Sequence, residues 1–180
     1  STPINAGLPR PMEIPGVPPT ADRLALVNGV TAGWFTTYGT PLRAGRDFDE
    51  RDTAAAQPVV ILNDAFARRF FRGRNALGDT VAGRTVVGVV GDQLAQGGFK
   101  PDGTVRSLRD NAAPSIYVPL AQSSGLFPPD RTAITISVRS AAGSPALLTR
   151  TVGAALTRTE PDVTFSLRPL SDYLAASLAQ

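Results

Sequence analysis

Three short apolar runs rich in β-branched residues constrain this chain most: Pro58–Asn63 (PVVILN), Thr85–Gly91 (TVVGVVG) and Pro114–Leu120 (PSIYVPL). Each is bounded by turn-forming residues and is shorter than the ~10 residues a stable helix usually needs, so each reads as a strand, with PVVILN fully buried. A first strand is expected over Arg23–Val30 (RLALVNGV), and others over Thr132–Arg139 (TAITISVR) and Val163–Leu170 (VTFSLRPL). A tight Ala82-Gly83 turn divides DTVAGRTVVGVVGD into two strands.

Helical signals fall between these runs. Thr31–Gly39 (TAGWFTTYG) reads as a short helix capped by Thr31 and ended by Gly39. Asn63 can cap a second helix, in which Phe66 and Phe70 lie four apart on one face with Ala67 and Phe71 beside them, before Gly73 ends it. Ser144 and Pro145 open a third, whose apolar positions Leu147, Leu148, Val152, Ala155 and Leu156 keep to one side until Pro161. Ser171 caps a short last helix carrying Tyr173, Leu174 and Leu178. Residues 1–22 are Pro- and Gly-rich and read as an irregular entry, Thr40–Pro58 as a polar connection, and Asp92–Pro114 as a mobile loop. Strands and helices mix with hairpin-like neighbours and no long period recurs, which favours an α+β fold.

The absence of two residue types narrows the chemistry. With no cysteine among 180 residues, disulfides and thiolate chemistry are excluded; with no histidine, the commonest general base and metal ligand is gone. The net charge of +3 is carried almost entirely by arginine, Lys100 being the single lysine. Nucleic-acid binding needs positive charge concentrated on one face, so a modest global excess gives no support for it. No stretch approaches the ~18 apolar residues of a membrane span and no signal-peptide pattern opens the chain. The crowded start without Met reads as a piece of something longer.

Four candidate sites can be weighed on residue type and spacing. The run Asp47–Asp52 (DFDERD) places carboxylates at alternate positions, but a calcium loop begun at Asp47 would have Arg51 at a ligand position, Asp52 where glycine is needed and Pro58 in place of the bidentate glutamate. Gly88–Asp92 (GVVGD) lacks both a dinucleotide fingerprint and a GK[ST] triplet, so its glycines read as bends or close packing in a strand. Glu13, Glu50 and Glu160 form no evident acid–base pair, and no serine lies in G-x-S-x-G. The arginines of NDAFARRFFRGRNALGD, namely Arg68, Arg69, Arg72 and Arg74, sit near the C-terminal end of a helix, where cations suit the peptide dipoles. They read as surface groups and as candidate contacts to an acidic partner. No catalytic, cofactor-binding or metal-ligating residue is assigned.

An ordered set of segments resembles one family, the MacB-like periplasmic core domain of ABC-transporter permeases, in particular the acidobacterial duplicated-permease branch. The segments are VTAGWFTTYGTPLRAGRDFDERD, PVVILNDAFARRFFRGRNALGDTV, TVVGVVGD, PSIYVPL and TAITISVR, and the likeness spans about residues 24 to 178. It departs at Trp34, where the family commonly has tyrosine, and in a short turn at Leu77-Gly78. The resemblance implies a two-lobed body: a porter-like α/β sandwich lobe from residues 23–46 and 115–180, with a second small α+β lobe, residues 47–114, inserted in it. It further implies a non-catalytic domain on the periplasmic side of the bacterial inner membrane, without cofactor, anchored by membrane spans of the full-length permease. Its partners would be a cognate cytoplasmic ATPase, with a second permease copy or a periplasmic protein besides, and its role would be to relay ATP-driven motion in efflux-type transport. Two other classes compete with it: a periplasmic binding module for a small anionic or lipidic ligand, and an aspartate-dependent hydrolase.

Overall fold

The computed structural model describes residues 7–14, 16–18, 23–93, 111–127, 135–141, 145–159 and 164–172. The chain divides into two compact units, Ser1–Ile134 and Thr135–Gln180.

The first unit is built on one mixed, seven-stranded sheet. Its elements in chain order are β1 (Leu8–Pro11), β2 (Leu24–Val30), α1 (Trp34–Tyr38), β3 (Leu42–Gly45), β4 (Val59–Asn63), α2 (Asp64–Phe66) running into a π-helical turn (Ala67–Phe71), β5 (Thr80–Val81), β6 (Arg84–Val90), β7 (Ser115–Pro119) and a 3₁₀ turn (Leu120–Gln122). The strand order is β1-β2-β7-β4-β6-β3, with β5 also paired to β6. Two pairs are parallel, β2 with β7 and β4 with β6; the others are antiparallel.

Strand β4 is buried along its whole length because the sheet is covered on both faces. Alternate residues point opposite ways, so Val60 and Leu62 join Val27, Phe66, Phe71, Val86, Ile116 and Val118 in one cluster. Val59 and Ile61 join Val30, Phe35, Phe48, Val90 and Tyr117 in the other. On that second face α1 supplies Phe35, whose ring meets Tyr117 edge-on at 4.9 Å.

The expected helix cap at Asn63 is present and does more than cap. Its Oδ1 accepts from the Phe66 amide at 2.9 Å and from the Ser115 amide at 2.8 Å, while Nδ2 donates to the Ala113 carbonyl at 2.9 Å. One buried amide thus starts α2 and fixes the entry to β7, with every polar atom satisfied. The Ala82-Gly83 hairpin also forms as read, with both residues in the left-handed region.

Several expectations are corrected. β1 lies inside the segment read as irregular, because a sheet-edge strand tolerates Pro9 and Pro11 at positions where no ladder donor is required. Leu42–Gly45 lies in the expected connection but forms the opposite edge strand, with an irregular register against β6. Helix α1 starts from Gly33, which adopts φ 78°, and Thr31 contributes only its carbonyl, to the Trp34 amide. Residues 135–139 and 164–169, the described parts of two expected strands, are not in strand conformation. β4 and β6, from residues 47–114, lie in the same sheet between β7 and β3, from residues 115–180 and 23–46. The greater part of the loop read as mobile, residues 94–110, and the helix positions Tyr173, Leu174 and Leu178 lie outside the described residues.

In the second unit α3 (Pro145–Thr159) begins at the proline expected to open it. Leu148, Val152, Ala155 and Leu156 are half-buried, as is Gly153, while 149–151, 154 and 157–159 are exposed, as the spacing predicts. Gly153 faces the 164–169 segment: a Cβ there would lie 3.4 Å from Leu167 and 3.8 Å from Phe165. Among the described residues no helix is long and apolar enough to cross a membrane.

Candidate functional site

The four candidate arginines lie on the exposed side of the helical turn that follows β4. Phe66 is fully buried beneath them, but the π-helical turn widens the spacing, so Phe71 is the second buried ring and Phe70 only packs against the cluster's edge. Arg68 pairs with Asp92 at 2.5 Å, and this hydrogen bond holds its guanidinium above its ordinary pKa. Arg69 sits 5.4 Å over the Phe70 ring. Arg74 sits 5.5 Å over the Phe71 ring and 3.7 Å from Asp79. Arg72 ends the turn in the left-handed region at φ 50°, a step earlier than the glycine expected there, and Gly73 continues it at φ 88°. The result is an exposed basic ridge on an aromatic base, in which Arg68 and Arg74 pair with Asp92 and Asp79.

Asp92 explains the GVVGD stretch. Its Oδ1 accepts from the Ala65 amide at 2.7 Å and its Oδ2 takes Arg68, so it serves as a second cap on the start of α2. The glycines permit close packing: a Cβ on Gly88 would lie 2.4 Å from the Arg46 carbonyl oxygen, and one on Gly91 would lie 2.9 Å from Pro41. The stretch is structural.

In the acidic run each of the three aspartates has an internal use. Asp52, nearly buried, takes both arms of Arg46 at 2.8 Å and the Asp49 amide at 3.0 Å. The Arg46 hydrogen bonds hold its carboxyl below the usual range, and Arg46 is raised in turn. Asp47 accepts from the Phe48 amide, yet burial pushes its carboxyl up. Asp49 is lowered, first of all by its hydrogen bond from the Arg51 side chain. The run is thus a tight arginine-clasped turn that seats Phe48 in the second core cluster. Among the described residues no group of three or more His, Cys, Asp or Glu is placed to hold a metal ion.

One feature of the first unit escaped the sequence reading. A cavity of about 260 Å³ opens on the first face of the sheet. Val27, Ile116 and Val118 from adjacent β2 and β7 line it, together with Arg10, Glu13, Arg84 and Leu126. The β5–β6 hairpin is tied across it by the Ala82 amide, which donates to the Glu13 carbonyl at 2.8 Å. Arg10 donates to the Leu126 carbonyl at 2.7 Å, and Arg84 to the Gln122 carbonyl at 3.0 Å. Neither arginine forms an ion pair with a carboxylate of the described residues. Arg10 lay in the segment read as irregular and Arg84 in a hairpin. Only the sheet brings them together, so spacing carried no signal for the pair.

Comparison with known proteins gives the fold a context. The first of the similar solved structures is the periplasmic region of MacB from Actinobacillus actinomycetemcomitans, with a TM-score of 0.63 at 20% identity over 97% of this chain and 73% of that one. The extracellular domain of the noncanonic ABC-type transporter YknZ from Gram-positive bacteria has a TM-score of 0.44 at 18% identity, over 66% of this chain and 54% of that one. A domain of a putative permease protein from Porphyromonas gingivalis has a TM-score of 0.46 at 15% identity, over 92% and 75%. No curated protein matches the chain. At these identities the likeness to MacB shows the fold: a mixed α/β body of many strands and few helices. The MacB-like periplasmic core domain family matches residues 9–152, which is most of the sequence, and the chain belongs to that family.

Proposed function

We propose that this chain is the non-catalytic extracytoplasmic domain of a MacB-like ABC-transporter permease, carried on the periplasmic side of the inner membrane by the spans of the full-length protein. There it relays movement driven by ATP binding at a cognate cytoplasmic ATPase and contacts a partner or cargo. The observation that carries this reading is the family match over residues 9–152. The build of the first unit supports it: a sheet covered on both faces, with buried connections such as Asn63, moves as a stiff body, and leverage needs stiffness.

The test is mechanical. A spin label at exposed Glu50 in the full-length permease, reconstituted with its ATPase in proteoliposomes, reads the separation between the labels of two permease copies. The separation is expected to change between nucleotide-free and ATP-bound states and to return after hydrolysis. A separation unchanged across all nucleotide states overturns the relay reading.

A further inference from the structure

The cavity between β1 and the β5–β6 hairpin combines an apolar floor with a cationic wall. Its floor is apolar, made by Val27, Ile116 and Val118. Its wall carries two half-buried guanidinium groups, Arg10 and Arg84, which among the described residues are held by neutral acceptors alone. A cation removed from water is costly unless an anion accompanies it, and buried charges in folded chains are normally paired. Burial alone lowers Arg84 from its ordinary pKa, with no carboxylate acting to raise it. The Nε of Arg10 is buried without a hydrogen-bond partner. Glu13, which also lines the cavity, is exposed and forms an ion pair with neither arginine.

We propose that this cavity is a binding site for a small anionic amphiphile, whose carboxylate or phosphate-ester head is held by Arg10 and Arg84 and whose short apolar body rests on Val27, Ile116 and Val118. Guanidinium groups suit such heads because their planar donors match two oxygens at once. At about 260 Å³ the space lies just under the ~300–1,000 Å³ typical of pockets for drug-sized ligands, so the occupant is smaller than those. The site is separate from the basic ridge at Arg68–Arg74 and from the relay of motion.

Calorimetric titration of the full chain with octanoate and with hexyl phosphate tests the site, with octanol and inorganic phosphate as controls. Both amphiphiles are expected to bind at one site with Kd of roughly 0.1–1 mM, to weaken as salt rises, and to shift the methyl resonances of Val27, Ile116 and Val118. Arg84→Met and Arg10→Met are each expected to weaken octanoate by roughly tenfold, the loss of one charge-assisted contact. Leu126→Trp, at the half-exposed rim, is expected to block entry and serves if an arginine variant fails to fold. Octanol binding as well as octanoate, inorganic phosphate displacing octanoate at equal concentration, methyl shifts confined to other residues, or no octanoate binding at millimolar concentration would each overturn the proposal.

Discussion

Asp47 and Asp52 belong to one arginine-clasped turn, yet their surroundings push them in opposite directions. Arg46 holds Asp52 below the ordinary aspartate value of ~3.9, so the pair's stabilisation is complete above that pH and is lost as pH falls through the lower folded value. Burial raises Asp47, so the folded state prefers it protonated, and its contribution is lost as pH rises through its folded value. The substitution Asp52→Asn is therefore expected to cost about 2 kcal/mol at neutral pH and to flatten the acid limb of the stability curve. Asp47→Asn keeps an oxygen acceptor for the Phe48 amide and is expected to be neutral or stabilising at pH 7. Urea denaturation of the full chain across pH 3 to 8 checks both signs; equal losses in the two variants would sink the account. The sequence displayed this cluster plainly as acidic. What it hid was the partner, because Arg46 precedes the run and its bidentate geometry exists only once the chain turns.

At the scale of the element, the helix after β4 shows how far local reading reaches. The Asn63 cap and the outward arginines were both legible, since each follows from side-chain chemistry within a few positions. The π-helical turn was not. A sequence pattern assumes 3.6 residues per turn, and the wider turn rotates Phe71 inward and Phe70 toward the rim. Phe71→Ala is accordingly expected to cost about 3–5 kcal/mol, and Phe70→Ala less than half as much, by equilibrium denaturation. The reverse order would mean that the turn is an ordinary α-helical one. The same distinction separates the other elements. β4, β6 and β7 were readable because burial on two faces demands unbroken apolar runs. β1 and β3 were not, because edge strands tolerate the prolines, glycine and charges that elsewhere signal loops. TAITISVR and VTFSLRPL have strand-like alternation, yet in their described parts Ile136 and Val138 are exposed and Phe165 turns toward Gly153 of α3, so alternation alone did not decide their conformation.

At the scale of the whole molecule, a relaying domain needs a stiff interior and a surface that engages something else. Among the described residues the first unit carries an exposed cationic ridge, and its four arginines are not equivalent. Reversing Arg68 or Arg74 would set a carboxylate beside Asp92 or Asp79 and disturb the fold locally. Arg72 is exposed and lies outside those two pairs, so it is the position of the ridge at which surface charge can be reversed with the least structural consequence. If the ridge meets an acidic partner, Arg72→Glu in the full-length permease is expected to leave the thermal midpoint within a few degrees of the parent. A photo-crosslinker at exposed Arg51, on the acidic turn, and one at Asn75, beside the ridge, then serve as control and probe in living cells. A discrete adduct at Asn75, lost on charge reversal and absent at Arg51, is the expected result, with capture falling as ionic strength rises because rim charges act mainly on encounter. An Asn75 adduct that survives the reversal undiminished would assign the ridge to solvation alone and move the partner's docking surface to another part of the domain.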